Sequence, residues 1–102
     1  MPTIPRPMFE KILEATCKYY DVTEQELTHS STDTETVHRR KILVTLTRHH
    51  TGMSYKKIAN KVGLKAHNWV MAMVQEVESG QFIYRQISDD MKNVMIIVDS
   101  LA

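Results

Sequence analysis

Apolar residues recur three and four apart along almost the whole chain, and no stretch alternates apolar with polar as a half-buried strand would. The pattern predicts an all-α domain of five to six helices. Phe9, Ile12, Leu13, Thr16, Cys17 and Tyr20 form one stripe, so a first helix spans about 7–20. Thr23-Glu-Gln-Glu26 is a capping box and opens a short helix through Leu27 or Thr28. Residues 29–36 have no apolar anchor and read as a loop. A long helix follows over about 36–50, with Val37, Ile42, Leu43, Leu46 and His50 inward. Ser54 caps a helix to about Lys61, with Ile58, Ala59 and Val62 inward. The next runs from about His67 to Glu78 on a Val70, Met73, Val74 and Val77 stripe. Ser88 caps a last helix over 89–101, whose acidic first turn suits the helix dipole. Its stripe is Met91, Val94, Met95, Val98 and Leu101. Residues 81–87, with Phe82, Ile83 and Ile87, fit either a helical continuation or a packed connector. Gly52, Gly63 and Gly80 each fall where a helix is expected to stop. Residues 1–8, with three prolines, read as an extended lead-in to a domain over 9–102.

Charge changes this picture. The 13 basic and 12 acidic residues nearly cancel, yet 36–75 contains no Asp or Glu. It holds Arg39, Arg40, Lys41, Arg48, Lys56, Lys57, Lys61 and Lys65. A one-signed segment that also carries regular apolar spacing predicts a folded basic wall, facing outward as one plane. Such a wall suits polyanions, because each neutralised phosphate releases condensed counterions.

Other chemistries find little support. No apolar run approaches the roughly 20 residues of a membrane span, and the start has no secretory apolar region. Cys17, the only cysteine, cannot form an internal disulfide, and its place on the first stripe makes it a core residue rather than a nucleophile. A cytoplasmic address is expected. His29, His38, His49, His50 and His67 include no i, i+4 pair, so no metal site is expected. Without paired carboxylates, Cys/His pairing or a phosphate-binding loop, neither an enzyme nor a cofactor is expected. Most of the seven methionines fall on inward stripes and read as core filling.

Residues 54–78 carry the function. A short capped helix, a glycine turn and a second helix make a helix-turn-helix pattern. Its second helix would present Lys65, Ala66, His67, Asn68 and Trp69 to base edges in a major groove. Asn can bond adenine, Lys and His can donate to guanine or phosphate, and the Ala methyl can meet thymine. Lys56, Lys57 and Lys61 are placed for phosphates, which fix register but carry no sequence information. Arg39, Arg40 and Lys41 either reach DNA or lay their stems over apolar neighbours. Trp69 either meets DNA or lids the core, the second favoured by the usual burial of tryptophan.

These residues resemble the C-terminal duplex-DNA-binding domain of the bacterial replication initiator DnaA. The similarity runs through Lys18-Tyr-Tyr-Asp-Val22, Val37-His-Arg-Arg-Lys-Ile-Leu-Val-Thr-Leu46, the Thr51-to-Ser54 turn, Ile58-Ala-Asn-Lys-Val-Gly63 and Leu64-Lys-Ala-His-Asn-Trp-Val70. It covers about 9–101 and implies a helix-turn-helix fold of the Trp-repressor-like or DnaA C-terminal-like type. It implies double-stranded DNA as partner and a place in replication or its regulation. Arg40 matches the family's arginine that enters the minor groove, and His67 its base-contacting histidine. Lys65 stands for an Arg, Asn68 for a Ser/Thr, Ala66 for a base-reading Asp, and Trp69 for a Thr. The family's basic loop before the long helix is here Ser30-Ser-Thr-Asp-Thr-Glu35.

No Gly-x-x-x-x-Gly-Lys-Ser/Thr loop accompanies the domain, so the expectation is a DNA-reading module without ATPase activity. The alternative is a protein-interaction module that keeps the fold and has lost DNA reading, with an apolar patch around Trp69, Met71 or Phe82. A protein partner or homodimer would use helical faces, with 81–101 the first candidate.

Overall fold

The computed structural model describes residues 7–28, 33–64, 66–80 and 84–101. Among the described residues, six helices arise from local signals that can be traced one by one. The first, α1 (Met8–Tyr20), starts after Pro7, whose fixed φ suits a helix entry. It stops at Asp21, left-handed at φ 56°, where Val22 N–H closes on Cys17 O at 3.0 Å. The short α2 (Glu24–Thr28) is held by the expected capping box. Thr23 N–H donates to Glu26 Oε2 at 3.1 Å and Glu26 N–H to Thr23 Oγ1 at 3.2 Å. Asp33 caps α3 (Thr34–Thr51) by accepting from Thr36 N–H at 3.2 Å, so this helix starts two residues before the sequence suggested. Ser54 caps α4 (Tyr55–Lys61) by accepting from Lys57 N–H at 3.2 Å. Then come α5 (His67–Gly80) and α6 (Arg85–Ser100). No strand occurs among the described residues.

Helix α3 is the axle, with all five others packed against it. Ile42, Leu43, Val44, Thr45, Leu46 and Thr47 are six consecutive buried positions. The single inward stripe expected for this helix is therefore too narrow: Val44 is buried, Val37 only partly so, and His50 exposed. Over 42–47 the helix is enclosed by neighbours and has no outer face to leave polar. Buried Thr47 satisfies its hydroxyl on Leu43 O, one turn back, at 2.8 Å.

The C-terminal helix corrects the sequence reading most. It begins at Arg85 rather than Asp89, with Tyr84 as its extended N-cap residue. Tyr84 N–H donates to Gly80 O at 2.6 Å, so α6 begins within one turn of the last residue of α5, and it packs on α1 and α3. The apolar Phe82 and Ile83 lie outside the described residues. Gly80 is the last residue of α5 rather than the stop beyond it. A Cβ there would come within 2.9 Å of Ile87 Cδ1, the far end of a side chain that can turn away.

Asp90 does not serve a helix dipole. It is 2% exposed and works as a hub. Tyr19 and Gln86 donate to its Oδ1 at 2.9 and 2.8 Å, Tyr20 donates to its Oδ2 at 2.7 Å, and His38 Nε2 lies 3.2 Å from Oδ2. Burial alone would raise the Asp90 pKa, but hydrogen bonds from Tyr20, Tyr19, His38 and Gln86 outweigh it and hold the carboxyl below its ordinary value. The same cluster raises the Tyr20 phenol well above its usual range, through burial and then its bond to Asp90. One carboxylate thus joins α1, α3 and α6. Cys17 is half-buried, and burial with the nearby carboxylates of Glu24, Glu26 and Glu14 pushes its thiol up to about 11. So high a value removes the thiolate a nucleophile needs.

Candidate nucleic-acid interface

The turn between α4 and α5 is set by glycine and one pair of apolar side chains. Helix α4 is capped at Val62, whose N–H reaches Ile58 O at 3.0 Å. Gly63 then adopts φ 74°, and Leu64 N–H bonds back to Ala59 O at 2.9 Å. This six-to-one bond over a left-handed glycine is a Schellman motif, and its apolar companions Leu64 and Ala59 are both buried. A Cβ on Gly63 would run into Thr28 O, so the turn is seated directly on the end of α2. Behind α4, Ile58 and Val62 are buried, as are Val70, Val74 and Val77 of α5, so the two helices share one apolar seam.

The outer side of this pair is polar and open. Lys56, Lys57 and Lys61 are exposed on α4, and none of the three takes part in an ion pair among the described residues. Lys61 Nζ lies 5.2 Å from the centre of the Phe9 ring, which orients its stem without neutralising it. Asn60, which the sequence reading passed over, is exposed on the same helix one turn after Lys56. The i, i+4 spacing was the available signal.

At the start of α5, His67, Asn68 and Trp69 are all exposed. Trp69, at 56%, is no lid on the core. The seam behind it is closed by the smaller Val70 and Val74, which leaves the indole outside. Ala66 is half-buried and precedes the first helical residue, with its carbonyl accepting from Trp69 N–H at 3.2 Å. Alanine offers no capping oxygen, and the first turn holds no acid. The positive end of α5 thus faces out with no anionic side chain of its own beside it. Lys65 lies outside the described residues.

The cations of α3 are placed differently, and the single positive plane expected from the sequence does not form. Successive helical residues point about 100° apart, so Arg39, Arg40 and Lys41 meet three different neighbours. Arg39 pairs with Glu35 at 3.4 Å and lies 5.3 Å over the Tyr20 ring. Lys41 pairs with Glu76 of α5 at 2.9 Å. Arg40, expected to reach a groove, is 2% exposed and donates its Nε to Leu27 O at 2.8 Å, and burial lowers its pKa. Arg48 donates to Met53 O at 2.7 Å and stacks 4.5 Å from the Tyr55 ring, bracing the turn before α4. His49 meets Glu78 at 2.8 Å, and exposed His50 points elsewhere. Among the described residues no group of three or more His, Cys, Asp or Glu could hold a metal ion, and no helix is long and apolar enough to cross a membrane.

Residues 9–77 match the family model described as the bacterial dnaA protein helix-turn-helix. The matched segment runs from α1 through most of α5 and contains the whole exposed polar face just described. No curated protein matches the chain.

Proposed function

From the premise that this chain belongs to the bacterial DnaA helix-turn-helix family, a non-catalytic family whose membership implies DNA binding, we propose that it reads duplex DNA sequence-specifically through α4 and α5. The observation that carries the reading is the contrast between two sets of cations. Arg39, Arg40 and Lys41 of α3 each have a partner within the protein, whereas Lys56, Lys57 and Lys61 stand exposed beside the open start of α5. The α4 lysines and Lys65 meet phosphates, and His67, Asn68 and Trp69 enter the major groove. Ala66 supplies no acceptor, so it cannot take a hydrogen bond from the cytosine amino group, and the preferred site differs from the family's own box. The setting is the cytoplasm and the process is replication or its regulation.

Selection of duplexes from a random pool at two salt concentrations tests this. Enrichment is expected, with affinity falling steeply as salt rises. The double variant Lys56→Ala/Lys57→Ala should reduce the slope of log K against log salt by about 2, since each lost phosphate contact removes roughly 0.9. No retention at low salt and no enriched sequence would end the DNA reading.

The exposed indole of Trp69 favours a second reading, an anchor for a protein partner, because monomer surfaces rarely spend tryptophan without a use. Trp69→Ala separates the two. It should cost under about 1 kcal/mol of stability, as expected for a surface change. In the DNA reading it weakens duplex binding; in the other it leaves duplex binding as it was.

A further inference from the structure

The last carbonyls of α2 sit between two features that DNA contact alone leaves unrelated. Leu27 O accepts from the buried Nε of Arg40, on the central helix, at 2.8 Å. The next carbonyl, Thr28 O, is the atom that a side chain on Gly63 would strike, and Thr28 C lies 3.5 Å from that same Cβ position. Gly63 is in turn the left-handed residue of the turn that delivers α5. Arg40, α2 and the recognition turn are therefore stacked in series, with Leu27 packed underneath at 1% exposure.

Building on the DNA-binding reading, we propose that Arg40 is a positioning residue for the recognition turn and does not touch the duplex. Its Nε fixes the end of α2, and the end of α2 is the floor on which Gly63 rests. Loosening that floor lets the turn and the first residues of α5 shift while leaving the exposed lysines in place. Such a shift degrades base readout, which needs geometry. It spares phosphate attraction, which depends mainly on charge. A lysine at position 40 keeps the charge but cannot reproduce a donor held at the Nε position, so it behaves as a loss.

The test uses the intact chain, Arg40→Lys, Arg40→Met and, as a stability control, Val98→Ala. Val98 is buried in α6, which packs on α1 and α3 rather than on α4. Affinity is measured for a duplex recovered from the random pool and for its scrambled version, over a salt series. Both Arg40 variants should lower the selected-to-scrambled ratio about tenfold, the size of one mispaired contact, with the salt slope unchanged. Val98→Ala should lower Tm and leave the ratio alone. Amide exchange at Leu64 N–H, which bonds Ala59 O, supplies a readout without DNA. It should quicken in Arg40→Lys, which keeps enough of the side chain to fold, and not in the control.

Retention of the ratio by Arg40→Lys, with a slope about 1 lower in Arg40→Met, would make Arg40 a phosphate contact and overturn the proposal. Equal loss of ratio in Val98→Ala would reduce it to stability. Unchanged Leu64 exchange would also overturn it. Absence of duplex binding by the intact protein defeats the DNA reading instead, and the exchange result still decides whether Arg40 holds the turn.

Discussion

Replacing Gly63 with alanine is expected to lower Tm by roughly 8–40 °C. A left-handed alanine costs about 1–2 kcal/mol. Overlap with a backbone atom that cannot retreat adds about 1–3 kcal/mol. Thr28 O cannot retreat because the preceding carbonyl is held by Arg40 and Leu27 is buried below it. A domain of this size shifts about 4–8 °C per kcal/mol and has only about 5–15 kcal/mol in all. Gly52→Ala is the matched control. Gly52 has nearly the same φ, 66°, yet no atom lies within 4 Å of its added Cβ, so only the backbone term applies. Thermal melts of the two variants by circular dichroism decide the matter. A Gly63→Ala melt no lower than that of Gly52→Ala would show that α2 does not bear on the turn.

Asp90→Ala is the second large effect, expected to cost about 3–5 kcal/mol, because it strips a buried acceptor from four side chains at once. The pH dependence has a fixed sign. The folded carboxyl titrates below its ordinary value, so the native state binds fewer protons than the unfolded chain in acid. Its stabilisation is fully present above about pH 4 and is lost as pH falls through the lower folded pKa. Tyr20 acts at the other end. Its folded pKa is raised by burial and by Asp90, so its contribution is intact below about pH 10 and declines as pH rises beyond that. Urea midpoints measured from pH 2 to 11 should fall at both ends for the wild type. Asp90→Ala should be lower throughout and flatter in both flanks. Parallel curves for the two proteins would refute the hub.

What could be read from the sequence was what is decided within one turn of chain. The capping box at Thr23, the Ser54 cap and the left-handed glycines were visible because each depends on residues two to five apart. The exposed face of α4 was visible for the same reason. Arg40 looked like its neighbours Arg39 and Lys41, and only its partner Leu27, on another helix, separates them. The acid-free window misled in a related way. Its charge is one-signed along the chain, but Glu35, Glu76 and Glu78, just outside it, fold back onto Arg39, Lys41 and His49. Asp90 could not be seen at all, since its partners Tyr19 and Tyr20 lie 71 and 70 residues away. Trp69 was misjudged toward the interior because residue type alone favours burial, while the neighbouring valines already fill the seam.

The family signature ends at residue 77, but the fold does not. Val94 and Val98 of α6 are buried against α1 and α3, and their helix supplies the acceptor for both tyrosines. A fragment trimmed to the signature would keep every group proposed to face nucleic acid and still bare the back of the molecule to water. The smallest autonomous version of this domain is set by what lies behind its α4–α5 face, and expression boundaries drawn from sequence similarity alone would cut it too short.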